Sequence, residues 1–145
     1  MARIMALDYG SRRTGVAVTD ILRIAPNGLP TIETKNIFSF LDNYFSQEIV
    51  DILVIGYPTH LDGSNTYVTI EVEGFIKTFS AKHPNIKIFR QSEWFTSRQA
   101  KQVIMQSGIN KTKRRDKSLI DKISAVIILE EFMQSKDYLN FRDQV

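Results

Sequence analysis

Four apolar residues, Ile4 to Leu7, run without a break into Asp8, and Gly10 follows two positions later. A second apolar run, Val16 to Val18, is followed by another acid, Asp20. An unbroken apolar run of this length is the pattern of a strand buried on both faces, which demands a covering layer on each side of its sheet. A carboxylate at the tip of such a strand is costly to bury unless a metal or another cation compensates it. The glycines let the backbone turn sharply and approach a ligand closely. The segment therefore admits two readings. One is a metal or phosphate site at the carboxyl end of strand one; the other is an ordinary Asp-x-Gly turn between two strands of a hairpin.

The rest of the chain supplies the covering layers. Strands are expected at residues 3–8, 14–20, 29–34, 51–57 and 86–90. Ile37, Leu41, Tyr44 and Phe45 form one apolar stripe, and Val68, Val72, Phe75, Ile76 and Phe79 form a second at helical spacing. Ala100, Val103 and Ile104 suggest a third helix, stopped near Gly108. The last is expected from about Ser118 to Gln134, with Ile123 to Leu129 apolar nearly all round. Three strands in succession read as an antiparallel meander, whereas Ile52 to Ile55, lying between two helices, reads as a parallel strand. The expectation is an α/β fold, a mixed five-stranded sheet flanked by helices in the ribonuclease H-like pattern. At 145 residues, one domain spanning 1–145 is expected.

Cysteine is absent, which excludes a disulfide framework and a thiolate metal site. No apolar run approaches the roughly 18 residues of a membrane span, so no membrane partner is expected. The N-terminus enters a strand without a signal-peptide pattern, and a cytoplasmic location is expected. The net charge is +3, yet residues 111–117, KTKRRDK, alone carry +4, which leaves −1 for all the others. The basicity belongs to one segment, and Lys111, Lys113, Arg114, Arg115 and Lys117 are candidate contacts to a polyanion.

Three acids group as one set. Asp8 ends strand one, Glu93 follows strand five, and Asp121 sits in the first turns of the last expected helix. Ligands of open α/β sheets gather at the carboxyl ends of strands. Asp121 joins the other two if its helix crosses that edge, and the small Ser124 and Ala125 let it pack close. Three ionised carboxylates repel one another, and a divalent cation, or a pair about 3.5–4 Å apart, turns that repulsion into coordination. Each acid also has a plainer reading: Ser118 to Asp121 has the spacing of a capping box, and Glu93 fits a solvated loop.

These residues carry a resemblance over nearly the whole chain. Asp8-Tyr9-Gly10, Arg13, Gly15 and Asp20 resemble the opening motif of the YqgF/RuvX family, described both as Holliday junction resolvases and as nucleases maturing the 5′ end of small-subunit ribosomal RNA. Val54-Ile55-Gly56-Tyr57-Pro58 with Asp62-Gly63 is similar to its fourth-strand signature, and Ile120-Asp121-Lys122-Ile123-Ser124-Ala125 to the opening of its last helix. The resemblance implies a ribonuclease H-like fold and a nuclease site at Asp8, Glu93 and Asp121, with Mg²⁺ or Mn²⁺ as cofactor. It implies a nucleic-acid substrate, either structured RNA or branched DNA. Resolving a four-way junction symmetrically calls for two sites, hence a homodimer, whereas trimming RNA needs only a monomer. Arg13 is a candidate bidentate contact to phosphate, or simply a solvent-facing turn residue.

One segment departs from the family. Where it usually carries Asp-Glu-Arg after strand five, this chain has Ser92-Glu93-Trp94. The loss of one negative charge and one fixed donor motivates the alternative, a nucleic-acid-binding domain with impaired catalysis. Other signals fail. Gly10 to Gly15 has Walker spacing, but Val16 stands where lysine is needed, and His60 and His83 have no second ligand at metal spacing. An actin-like ATPase opens on a similar strand but needs two lobes, and this length supplies one.

Overall fold

Five strands form one sheet in the computed structural model, which describes residues 2–57, 67–92 and 117–143. They are β1 (Arg3–Tyr9), β2 (Arg13–Thr19), β3 (Pro26–Glu33), β4 (Val50–Tyr57) and β5 (Lys87–Ser92), in the order β3-β2-β1-β4-β5. β1 pairs antiparallel with β2, and β2 with β3, so the first three strands are the expected meander. β4 lies parallel to both β1 and β5. The mixed sheet therefore has the architecture the sequence pattern predicts. β3 starts three residues before its expected position, at Pro26. β3 is an edge strand, where a leading proline removes no ladder bond.

Alternation along β1 sorts the core into two layers. Met5 and Leu7 face one side, where they pack with Val16, Val18, Leu53 and Ile55 beneath α1 (Ile37–Gln47) and α2 (Tyr67–Lys82). Ile4 and Ala6 face the other, with Ala17, Ile52 and Val54 beneath α3 (Lys117–Met133) and α4 (Lys136–Asp143). The residues of Ile4 to Leu7 are all 0% exposed, as an unbroken apolar run requires. Burial of a large apolar side chain is worth about 1.5–3 kcal/mol relative to exposure, so these layers dominate the stabilisation.

Two local structures were not anticipated. The helix expected to be last is followed by α4, whose first turn is capped by Ser135: the Tyr138 N–H donates to its Oγ at 3.2 Å. Tyr138 is buried with its ring centroid 5.3 Å from that of Phe132. Ser135 with Asp137 was a readable start signal for this helix. Within α3, Ser124, Ala125, Ile128 and Leu129 are buried, whereas Ile123, Val126 and Ile127 are half-buried, so the apolar stretch is covered most fully along one stripe.

The second acid of the opening motif does not join the first. Asp20 sits at the opposite end of the sheet, in the turn from β2 to β3, where its carboxylate accepts the N–H groups of Leu22, Ile24 and Ala25. The Ala25 amide, then those of Ile24 and Leu22, hold its carboxyl below the usual carboxylate range. In the same turn Arg23 has a φ of 57°, a left-handed conformation, and its guanidinium binds the Asp51 carboxylate. Asp20 is thus a turn-former. Among the described residues, no helix is long and apolar enough to cross a membrane.

Candidate metal and nucleic-acid site

β1, β4 and β5 run parallel and end at Tyr9, Tyr57 and Ser92, so their carboxyl ends share one edge of the sheet. Asp8 is on that edge. It continues the series Ile4, Ala6, Asp8 and so faces the α3 layer. Its partner across the antiparallel pair is Gly15, on the same face. Gly15 leaves that face empty, and the backbone of α3 fills the space: a Cβ there would lie 2.0 Å from the Asp121 carbonyl oxygen. One glycine therefore fixes two acids, as the register partner of Asp8 and the seat of Asp121.

The rest of the contact is built the same way. Gly28, paired with Ala17, makes room for the Lys122 stem, whose Cγ and Cε would lie 2.7 Å from an added Cβ. Ala6, Ala17, Ser124 and Ala125 are small and buried. Thr31 Oγ1 donates to the Ser118 carbonyl at 2.5 Å, tying the first turn of α3 to the edge strand. The importance of Gly28 and Thr31 is invisible in the sequence, because it exists only once β3 and α3 have docked.

Arg13 lies on the same face as Gly15, two residues away, and its Nε is 3.1 Å from Asp121 Oδ2. The guanidinium supplies the compensating cation that a partly buried carboxylate requires. Arg13 is therefore not a solvent-facing turn residue. Asp121 is likewise not a capping residue: it lies one turn inside α3 and its carboxylate is engaged with β2.

Asp8 and the backbone of Asp121 thus share one edge and one face of the sheet. Glu93, Lys111, Lys113, Arg114 and Arg115 lie outside the described residues, as do the side chains of Ser92 and Lys117 and the third expected helix. Among the described residues, no three acidic or histidine side chains cluster closely enough to hold one metal ion.

A five-stranded mixed sheet of this order, with helices packed on both faces, places the chain in the ribonuclease H-like fold class. Solved structures share this fold. The chain matches the Fowlpox virus resolvase in complex with Holliday junction DNA with a TM-score of 0.58 and 15% identity, over 91% of this chain and 97% of that one. It matches Thermus thermophilus RuvC in complex with a Holliday junction substrate with a TM-score of 0.56 and 10% identity, over 93% and 98%. Within this class the chain belongs to the family described as "RuvX: Holliday junction resolvase", whose model matches residues 2–135. Among its curated relatives are proteins named "Putative pre-16S rRNA nuclease". The one from Christiangramia forsetii is 44% identical over 92% of this chain and 98% of its own length, and the one from Flavobacterium johnsoniae 41% identical over 95% and 100%.

Proposed function

We propose that this chain is a nuclease that hydrolyses phosphodiester bonds with Mg²⁺ or Mn²⁺ held by Asp8, Asp121 and Glu93, and that it trims the 5′ end of precursor 16S ribosomal RNA in the cytoplasm. The observation that carries the reading is the seating of Asp121 on Gly15, directly beside Asp8. An all-oxygen carboxylate set suits a hard divalent cation. Asp121 also carries an ion pair with the Arg13 guanidinium at 3.1 Å.

When bound, a divalent cation supplies an activated water and stabilises the leaving oxygen. The chain's own residues provide position. Asp8 is fixed by strand register and Asp121 by helix backbone against Gly15, both on rigid elements rather than loops. Glu93 is covalently joined to the last residue of β5, whose end lies on the same edge. Lys111, Lys113, Arg114, Arg115 and Lys117 precede Asp121 in the sequence and suit contacts to the phosphate backbone without reading bases. The names of the relatives favour ribosomal RNA; the family's description also carries junction resolution, which requires two sites and hence a homodimer.

The test is a gel cleavage assay with Mn²⁺ on a precursor 16S 5′ leader RNA and on a four-way DNA junction. The RNA is cleaved by the parent protein, and Asp8→Asn lowers the rate at least about a hundredfold, the scale of losing one charge-stabilising group. Cleavage of the junction alone reassigns the substrate. Binding without cleavage supports the catalytically impaired binding domain that Ser92 and Trp94 motivate.

A further inference from the structure

Beside the acid pair lies a groove of about 450 Å³, lined by Ser11, Arg12, Arg13, Glu33 and Lys35. It is formed by the β1–β2 turn and the end of β3, on the same sheet edge as Asp8. The turn and strand end that bear its lining residues are firmly held. The Thr34 hydroxyl donates to the Gly10 carbonyl at 2.6 Å and accepts from Thr14 at 2.9 Å, while the Thr34 N–H donates to the Arg12 carbonyl at 2.9 Å. The turn is thus pinned to the edge strand, and its side chains are presented from a fixed backbone.

Three cations face this groove, each held differently. The Arg12 guanidinium is exposed and has no hydrogen-bond or ion-pair partner among the described residues. Lys35 Nζ lies 3.2 Å from Glu33 Oε2, but both side chains are mostly exposed, so water screens the pair and an incoming anion readily competes. Arg13 is committed to Asp121. Arginine forks match phosphate oxygens in two-point contacts.

We propose that this groove binds backbone phosphates of the nucleic-acid strand beside the scissile bond. Arg12 and Lys35 are its standing contacts, and Arg13 joins them when a cation takes Asp121. This rests on the nuclease reading and adds to it a path for the strand. It also adds a coupling: Asp121 cannot fully serve both Arg13 and a metal, so cation and phosphate each favour the other's binding, reciprocally.

Two measurements test it. The first is fluorescence anisotropy with a single-stranded RNA oligonucleotide in EDTA, across a salt series. Relative to the parent, the double variant Arg12→Gln/Lys35→Gln loses two phosphate contacts, so its slope of log affinity against log salt is shallower by about 1.4. Its melting shift in Mn²⁺ equals the parent's, because neither residue touches Asp121. An unchanged slope overturns the groove and leaves the nuclease reading intact. A parent that neither binds nor cleaves RNA overturns the nuclease reading itself, and the groove with it. The second measurement is Mn²⁺ titration followed by melting temperature. Arg13→Gln reaches its full shift at several-fold lower Mn²⁺ than the parent, while Arg13→Lys, which keeps the charge, stays near the parent. An Arg13→Gln midpoint at equal or higher Mn²⁺ overturns the exchange.

Discussion

The two faces of the sheet pack against their helices in opposite ways. Beneath α1 and α2 the space is filled with rings: Phe75 lies 5.2 Å from Tyr9, 5.3 Å from Phe38 and 5.7 Å from Phe79, centroid to centroid. Beneath the first half of α3 the sheet offers Ala6, Gly15, Ala17 and Gly28, and the helix answers with Ser124 and Ala125. The aromatic face gains stability from large buried area. The bare face gains a short distance between two backbones, and that distance sets where Asp121 stands. One face holds the fold together; the other sets where Asp121 stands, and with it the geometry of the proposed site.

Substitutions at matched positions sharpen or break this contrast. The largest effect falls on Gly15→Ala, whose Cβ would meet the Asp121 carbonyl at 2.0 Å and cannot be relieved by a side-chain rotation. The helix has to move, and a shift of about 1 Å costs on the order of a hundredfold in rate. Cleavage and the Mn²⁺ melting shift should both fall, with the melting temperature lowered as well; a Gly15→Ala protein with parental cleavage would break the comparison. Phe79→Ala, at a fully buried ring on the other face, should cost about 3–5 kcal/mol, read as a lower denaturant midpoint. Its Mn²⁺ shift should persist below the new melting temperature, and losing it would mean that the aromatic face also sets the site. The smallest effect is expected at Gly74, exposed on α2 with nothing within 4 Å of an added Cβ. Gly74→Ala should raise stability by about 0.5–1 kcal/mol through helix propensity, seen as a small rise in melting temperature. Two glycines, one methyl group each, should give effects of opposite sign.

The sheet was legible because its strands announce themselves. Ile4 to Leu7 and Ile52 to Ile55 are unbroken apolar runs, and α1 and α2 carry clean stripes ending in Phe45 and Phe79. Asp8 and Asp121 were legible as chemistry, since acids at a strand tip and near the start of a helix are unusual company for a core. Their juxtaposition was not legible, because it depends on Gly15, a residue that acts by having no side chain. Arg13 was read as a choice between phosphate and solvent, whereas its first partner is Asp121, 108 positions away, and no local pattern encodes that separation.

That separation also sets an order of events during synthesis. Asp8 and Gly15 are brought together by a hairpin, which closes early from a short stretch of chain. Asp121 arrives only when α3 docks, after more than a hundred further residues have been made. A nascent chain that has formed only this hairpin therefore holds Asp8 and Gly15 without Asp121. On the proposed assignment, cleavage activity would therefore be expected only once α3 has folded back onto the first strands.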